Sequence, residues 1–81
     1  MNTKNVSYYG VNKVASGKKI RDYMKAQKVT LEDVACALML STTIPVKAWR
    51  NGKYMPSLAN AILLAEILKV SVSDLFVIDI N

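Results

Sequence analysis

Apolar residues recur at intervals of three and four along the middle of this chain, which places them on one face of an α-helix. The first such segment predicts a helix over residues 17–27. Ser16 is its expected N-cap, because a serine hydroxyl can accept a hydrogen bond from a free backbone N–H. The apolar face of this helix is formed by Ile20, Tyr23 and Met24. Lysine and arginine crowd the opposite face, as expected of a solvated surface or of an edge that faces phosphate.

A second helix is predicted to begin after Thr30. Asp33 follows three residues later, so the two side chains can cap the start of the helix reciprocally. The apolar face of this helix is formed by Val34, Ala35 and Leu38. We expect Cys36 to be a half-buried small residue rather than a nucleophile, because the chain contains no histidine to activate it.

A third short helix is predicted to end near residue 50 or 51. Its ends are marked by residues that start or stop helices, namely Thr42 or Thr43 as N-cap, Pro45 in the first turn and Gly52 after the last. Val46 and Trp49 form its apolar face. Two short helices that share a core but cannot be collinear form a helix-turn-helix, whose second helix can enter a DNA major groove.

A fourth helix is predicted to begin with Ser57 as its N-cap and to continue to Lys69. Its broad apolar stripe, which we assign to the core, is formed by Leu58, Ile62, Leu64, Ala65 and Leu68. A last short helix should follow Ser71, where Asp74 completes another capping pattern. The alternating residues 76–80 predict a strand that pairs with the N-terminal arm, pairs with another subunit, or frays. A strand at a dimer interface and a strand packed on its own domain are equally open alternatives.

The predicted elements divide the chain into three parts. Residues 1–16 form an N-terminal arm in which the segment VSYYGV, residues 6–11, is a candidate short strand. Residues 17–76 form the helix-turn-helix domain, and residues 77–81 form the tail. The expected fold is therefore all-α, with five helices and a possible C-terminal strand.

Composition narrows the classes of function. The chain has 81 residues, which suits one small domain, and 52% of them are hydrophobic, which suits a packed core. One cysteine and no histidine predict no disulfide, no metal site and no cofactor, and they fit a reducing cytoplasm. No apolar run is long enough to span a bilayer, and no secretory signal is expected. The net charge of +5 favours a polyanionic partner.

Several motifs together resemble the Cro/phage-repressor, or xenobiotic-response-element (XRE), type of helix-turn-helix family. They are the Val34–Ala35 pair, V-x-x-W-x-x-G-K at residues 46–53, P-S-L at 56–58 and A-x-x-L-K-V-S-x-x-x-L at 65–75. The resemblance extends over residues 17–76. It implies a five-helix, lambda-repressor-like bundle that binds operator DNA as a dimer and represses or activates transcription.

The chain departs from the family pattern at three places. Leu31 stands where the family usually has a glutamine that helps to grip the DNA backbone. Met24 and Arg50 stand where an arginine and a glutamate commonly pair, and the loss of both charges costs less than the loss of one. Arg50 is then free to face phosphate. The segment before Trp49 is one residue longer than usual, an insertion that we place at residues 39–42.

The resemblance also implies which residues contact DNA. The groove-facing residues of the third helix would be Thr43, Ile44, Lys47 and Ala48. We expect Lys47 to donate a hydrogen bond to guanine O6 or N7, Thr43 to hydrogen-bond a base or a phosphate, and Ile44 to contact a thymine methyl group. The residues that would contact the backbone or support that contact are Thr42, Arg50, Asn51, Lys53 and Tyr54. Backbone contacts should then dominate affinity.

The favoured function is a sequence-specific DNA-binding transcriptional regulator, a phage-type or mobile-element repressor that works as a homodimer in a bacterial cytoplasm, at the nucleoid. The alternative is a protein-interaction module on the same fold that has lost operator reading, because Leu31, Ile44 and Pro45 would give the DNA side an apolar patch.

An enzyme is the poorest hypothesis. The chain has no histidine, no glycine-rich phosphate loop and no carboxylate pair placed to share a proton. Membrane binding is also disfavoured, because the lysine face of the first helix lacks a matching large aromatic face.

Overall fold

The computed structural model describes residues 9–80 of the chain. Within them lie four α-helices, one 3₁₀ helix and two short strands. In chain order these are β1 (Tyr9–Val11), α1 (Lys13–Gln27), α2 (Leu31–Ala37), α3 (Ile44–Arg50), α4 (Leu58–Leu68), the 3₁₀ helix (Val72–Leu75) and β2 (Ile78–Ile80). No helix in this part of the chain is both long and apolar enough to cross a membrane.

The fold has four α-helices among the described residues, and the prediction of five was wrong. The predicted fifth helix is the four-residue 3₁₀ helix, which is too short to close an α-helical ladder and runs into extended backbone at Phe76. Its capping residues were predicted correctly, since the Asp74 carboxylate accepts a hydrogen bond of 3.0 Å from the Ser71 N–H.

Helix α1 begins four residues earlier than its sequence pattern predicts. Asn12 is the N-cap, and its Oδ1 accepts a hydrogen bond of 2.9 Å from the Ala15 N–H. Ser16, the predicted cap, is fully buried, and its hydroxyl oxygen accepts a hydrogen bond of 2.8 Å from the Val77 N–H. The helix therefore includes residues that the sequence analysis assigned to the arm.

The predicted tail strand is confirmed, and its partner is the N-terminal segment of the same chain. β2 pairs antiparallel with β1, with Tyr9 opposite Ile80 and Val11 opposite Ile78. Next to this ladder, the Asn12 N–H donates a hydrogen bond of 2.8 Å to the Val77 carbonyl. The strand predicted over residues 6–11 is present from residue 9, and residues 6–8 lie outside the described part.

The core lies where the helices and the 3₁₀ helix meet. Its most deeply buried apolar side chains are Ile20, Val34, Val46, Trp49, Leu64, Leu68 and Leu75. The predicted core face of α4 was partly wrong, because Leu58 is 72% exposed and Ile62 is 46% exposed. The buried stripe of α4 instead centres on Ala61 and Leu64, and Ile62 is turned about 100° away from Ala61 around the helix axis. Cys36, expected to be half-buried, is exposed.

Candidate nucleic-acid interface

Helix α2 is fixed at its start by the predicted capping box. The Asp33 carboxylate accepts a hydrogen bond of 2.9 Å from the Thr30 N–H, and the Thr30 hydroxyl accepts one of 3.0 Å from the Asp33 N–H. The hydrogen bond from the Thr30 N–H, and after it the Thr30 side chain beside the carboxylate, lower the pKa of Asp33. Leu31, at the first helical position, is half-buried and packs against the core. It therefore contributes less apolar surface to the DNA side than its sequence position indicated.

The turn between α2 and α3 begins with a residue in the left-handed region. Met39 has φ of 57° and is 92% exposed. The N–H groups of Met39 and Leu40 donate to the carbonyls of Cys36 and Ala35, at 3.1 and 2.8 Å, which closes the last turn of α2. The residue by which this chain is longer than the family pattern was placed in this same segment, residues 39–42. The left-handed turn reverses the chain and directs it into α3.

Helix α3 begins after Thr43, and its first free N–H is satisfied by the preceding threonine. The Thr42 hydroxyl accepts a hydrogen bond of 3.2 Å from the Ile44 N–H, whereas the Thr43 side chain makes no capping bond. Pro45 stands at the second helical position, where the absence of an N–H costs no intrahelical bond. The predicted start of this helix is confirmed.

One face of α3 is held in the core and the opposite face points to solvent. Val46 and Trp49 are buried. Ile44, which is 65% exposed, Lys47 and Asn51 lie three and then four residues apart on the outer face, with Asn51 at the C-cap. The structure thus brings together three of the predicted contact residues as one row.

Ala48 does not belong to that row. It is only 7% exposed, although the resemblance implied that it faces the groove. Val46 and Trp49 both point into the core. A helix this short therefore cannot expose every residue between them, and Ala48 is one of the buried ones. Thr43 is half-buried at the N-cap, so it lies at the edge of the outer face.

The last four carbonyl groups of α3 all accept hydrogen bonds. The carbonyls of Lys47, Ala48, Trp49 and Arg50 accept, respectively, from the N–H groups of Asn51 (3.0 Å), Lys53 (2.9 Å) and Gly52 (3.2 Å), and from Nη2 of Arg21 (3.1 Å). Gly52 provides the left-handed backbone that this termination requires, with φ of 73°. The chain then presents Lys53 and Tyr54, both exposed, immediately beside the end of the helix.

Two glycines allow α1 to lie against the end of α3. A Cβ atom on Gly17 would lie 2.5 Å from the Trp49 carbonyl oxygen and 2.6 Å from that of Arg50. A Cβ atom on Gly52 would lie 2.7 Å from the Val14 Cα atom. Both distances are far below ordinary contact, so only glycine fits at either position. This close approach fixes the direction in which the outer face of α3 points.

The charges around α3 are basic and largely unpaired. Within residues 9–80, the only ion pair joins Lys18 and Asp22 at 2.9 Å, and the hydrogen bond from Lys18 is the main reason that the pKa of Asp22 is lowered. No carboxylate lies within 4.0 Å of the Arg50 guanidinium in this part of the chain, and Met24 is buried in the core. The departure from the family's ion pair therefore leaves cationic surface next to Lys53.

Arg21 is the residue of this surface that the sequence analysis missed. It was one of several cations in the basic run of α1, and nothing in its own spacing set it apart. The available signal was its position four residues after Gly17, which places both on the same face of α1. That face meets the end of α3, so the Arg21 guanidinium reaches the Arg50 carbonyl.

The family comparison agrees with this geometry. The helix-turn-helix family profile matches residues 20–75, more than half of the chain, so the chain belongs to the helix-turn-helix family. The resemblance to its Cro/phage-repressor (XRE) type is confirmed. The fold and the outward face of α3 define a DNA-binding transcriptional regulator.

A solved structure gives a more particular likeness. The restriction-modification controller protein C.AhdI from Aeromonas hydrophila is 27% identical in sequence and superposes with a TM-score of 0.69. The superposition covers 78% of this chain and 94% of that protein. A search among curated protein sequences finds no match.

Proposed function

We propose that this chain is a sequence-specific operator-binding repressor that acts as a homodimer and places α3 in the major groove. The observation that carries the proposal is the row of Ile44, Lys47 and Asn51 on the outer face of a helix whose other face is buried. Groove recognition requires a rigidly held helix whose outer side chains are free to contact the bases. The likeness to a restriction-modification controller protein supports a regulatory role.

The proposed contacts divide into base reading and backbone contact. Lys47 donates to guanine O6 or N7, and Ile44 contacts a thymine methyl group. Thr43 lies at the edge of the groove. Backbone phosphates are held by the residues at the two ends of α3, namely Thr42 at its start and Arg50, Asn51, Lys53 and Tyr54 at its end. With few base-reading side chains, most of the affinity comes from phosphate contacts.

The homodimer is part of the proposal, and α4 supplies its supporting observation. Leu58, Ile62 and Leu63 are exposed apolar side chains within six residues of one another at the start of that helix. Clustered apolar exposure of this kind is typical of an interaction surface. The proposal also places the regulator in the cytoplasm and gives it no catalytic activity.

The first test measures binding to random-sequence duplex DNA at low and moderate salt, and then selects preferred sites from a random pool. We expect affinity to fall roughly a thousandfold between about 50 and 200 mM salt, as six or so phosphate contacts per dimer require. We also expect selection to enrich an inverted repeat. Absence of binding at low salt would refute the proposal.

Two substitutions separate base reading from backbone contact. Lys53→Ala should weaken binding to every sequence alike and reduce the steepness of the salt dependence. Lys47→Ala should selectively weaken the selected site, by roughly 1–3 kcal/mol. Lys25→Ala is the control. It removes the same charge from an exposed position of α1, and Lys25 forms no hydrogen bond with α3. Unchanged sequence preference in Lys47→Ala would show that α3 is not the reading helix.

A protein-interaction module is the second candidate function, and one observation favours it. Met39 and Ile44 are both strongly exposed apolar residues on the turn and the start of α3. A protein partner bound through them would give an interaction that is nearly insensitive to salt. The salt series therefore distinguishes the two candidates, since phosphate contacts weaken steeply as salt rises.

A further inference from the structure

The Arg21 guanidinium lies at the end of α3, against the backbone of Arg50, whose own side chain is half-buried. Nη2 of Arg21 lies 3.1 Å from the Arg50 carbonyl oxygen, and the Arg50 side chain branches from the adjacent Cα atom. The carbonyl bond fixes the position of Arg21 and uses one of its five N–H donors. Its remaining donors stay in an exposed position.

Neither cation forms an ion pair in the described part of the chain. Neither arginine has a carboxylate within 4.0 Å among residues 9–80, and the nearby Asp22 is hydrogen-bonded to Lys18. Both side chains are cations, so an anion that contacts both would gain electrostatic attraction from each as well as hydrogen bonds.

We propose that Arg21 and Arg50 together form a clamp for one DNA backbone phosphate, with Arg21 anchored by the Arg50 carbonyl. The proposal rests on the proposed function, because it names a contact of the same DNA-binding surface. It assigns a DNA contact to α1, which lies outside the helix-turn-helix motif itself. Of the two positions where the family commonly has an internal ion pair, Arg50 occupies one and the buried Met24 the other.

The chemistry of the two side chains fits a phosphate. A guanidinium group presents parallel N–H donors that match two phosphate oxygens, and it remains charged at every physiological pH. Arg21 can bind the carbonyl through one nitrogen and a phosphate oxygen through another. The N–H donors of lysine all lie on one nitrogen, so lysine cannot bridge the carbonyl oxygen and the phosphate oxygen in the same way.

The test replaces phosphates of the selected duplex one at a time by neutral methylphosphonates and measures the affinity of each variant protein. In the unsubstituted protein, the methylphosphonate at the position bound by the clamp should lower the affinity of each half-site about tenfold. Arg21→Ala and Arg50→Ala should each weaken binding to the unmodified duplex by about tenfold. Both should reduce the effect of the methylphosphonate at that same position, because its phosphate keeps only one of its two arginine partners. The other positions should keep their effects.

Lys25→Ala is the matched control, since it removes one cation from the same helix one turn further along. It should change affinity less than about twofold and leave the methylphosphonate profile intact. Urea unfolding of every variant, with binding measured well below the unfolding midpoint, separates loss of contact from loss of fold.

Three outcomes would overturn the clamp. The Arg21→Ala profile could equal that of the unsubstituted protein, which would limit Arg21 to a structural role. Arg21→Ala and Arg50→Ala could reduce the methylphosphonate effect at two different positions, which would make the two arginines independent contacts. Full affinity in Arg21→Lys would show that charge alone is used. In all three the unsubstituted protein still binds its site, so the proposed function stands; no DNA binding at low salt would refute both.

Discussion

Replacing Gly17 by alanine tests the close approach of α1 to the end of α3. Alanine in a helix interior normally stabilises a protein by about 1 kcal/mol relative to glycine. Here the new Cβ atom would lie 2.5 Å from the Trp49 carbonyl oxygen, about 0.9 Å inside ordinary contact. The neighbouring atoms are backbone, which cannot rotate away, so α1 and α3 must separate.

The size of the effect follows from the contacts that this separation strains. Overpacking of a rigid interior costs about 1–3 kcal/mol, and loss of the bond between Arg21 and the Arg50 carbonyl adds about 1 kcal/mol. After subtraction of the gain in helix propensity, the free energy of unfolding should fall by about 1–3 kcal/mol. For a domain of this size each kcal/mol lowers Tm by roughly 4–8 °C.

The assay is urea unfolding at fixed protein concentration, followed by Trp49 fluorescence and by helical circular dichroism. Gly10→Ala is the control for a glycine that has room for a side chain, because no atom lies within 4 Å of the added Cβ. This substitution should leave the free energy of unfolding nearly unchanged. Ala26→Gly, at an exposed position of α1, measures helix propensity alone and should cost about 1 kcal/mol. A Gly17→Ala protein as stable as the unsubstituted chain would refute the close approach of α1 to α3.

Three further outcomes are expected. Trp49→Ala should lower the free energy of unfolding by about 3–5 kcal/mol, measured by circular dichroism in urea; a loss below about 1 kcal/mol would contradict its place in the core. Ser16→Ala should cost about 1–3 kcal/mol and speed hydrogen exchange at the Val77 amide, which loses its acceptor, and unchanged exchange would be evidence against that bond. The pKa values of Asp33 and Asp74 are lowered by hydrogen bonds that favour the ionised form. Their contribution is therefore complete above about pH 5 and is lost as the pH falls through the lowered values, so the urea midpoint should decline below about pH 4. The double Asp→Asn variant should flatten that decline.

Local signals in the sequence predicted most of the helix boundaries. The Thr30 and Asp33 capping box, the Ser57 cap and Pro45 near the start of α3 are all found in their predicted roles. Each depends on hydrogen bonds between residues only a few positions apart. Trp49 was predicted correctly as a core residue for a similar reason, since the periodicity of a short segment places it opposite the polar face.

The features that were missed depend on contacts between distant parts of the chain. Ser16 has the chemistry of an N-cap, but its hydroxyl instead binds Val77, 61 residues away. The exposure of Leu58 depends on where the core ends, and periodicity within α4 carries no information about that. The same holds for Arg21, whose position is defined by an α3 carbonyl rather than by its neighbours in sequence.

The pairing of the two terminal strands has a consequence for the order in which the chain folds during synthesis. The contacts among α1, α2 and α3 join segments that leave the ribosome close together in time. The cap at Asn12 and the buried Ser16 instead receive their partner, Val77, only after all four α-helices have been synthesised. Because N-terminal segments emerge first, a ribosome-bound chain that lacks residues 77–80 can assemble the helix-turn-helix while the first turn of α1 still lacks its hydrogen bonds to Val77. The β1–β2 ladder therefore forms only after the segments that build all four α-helices have been synthesised.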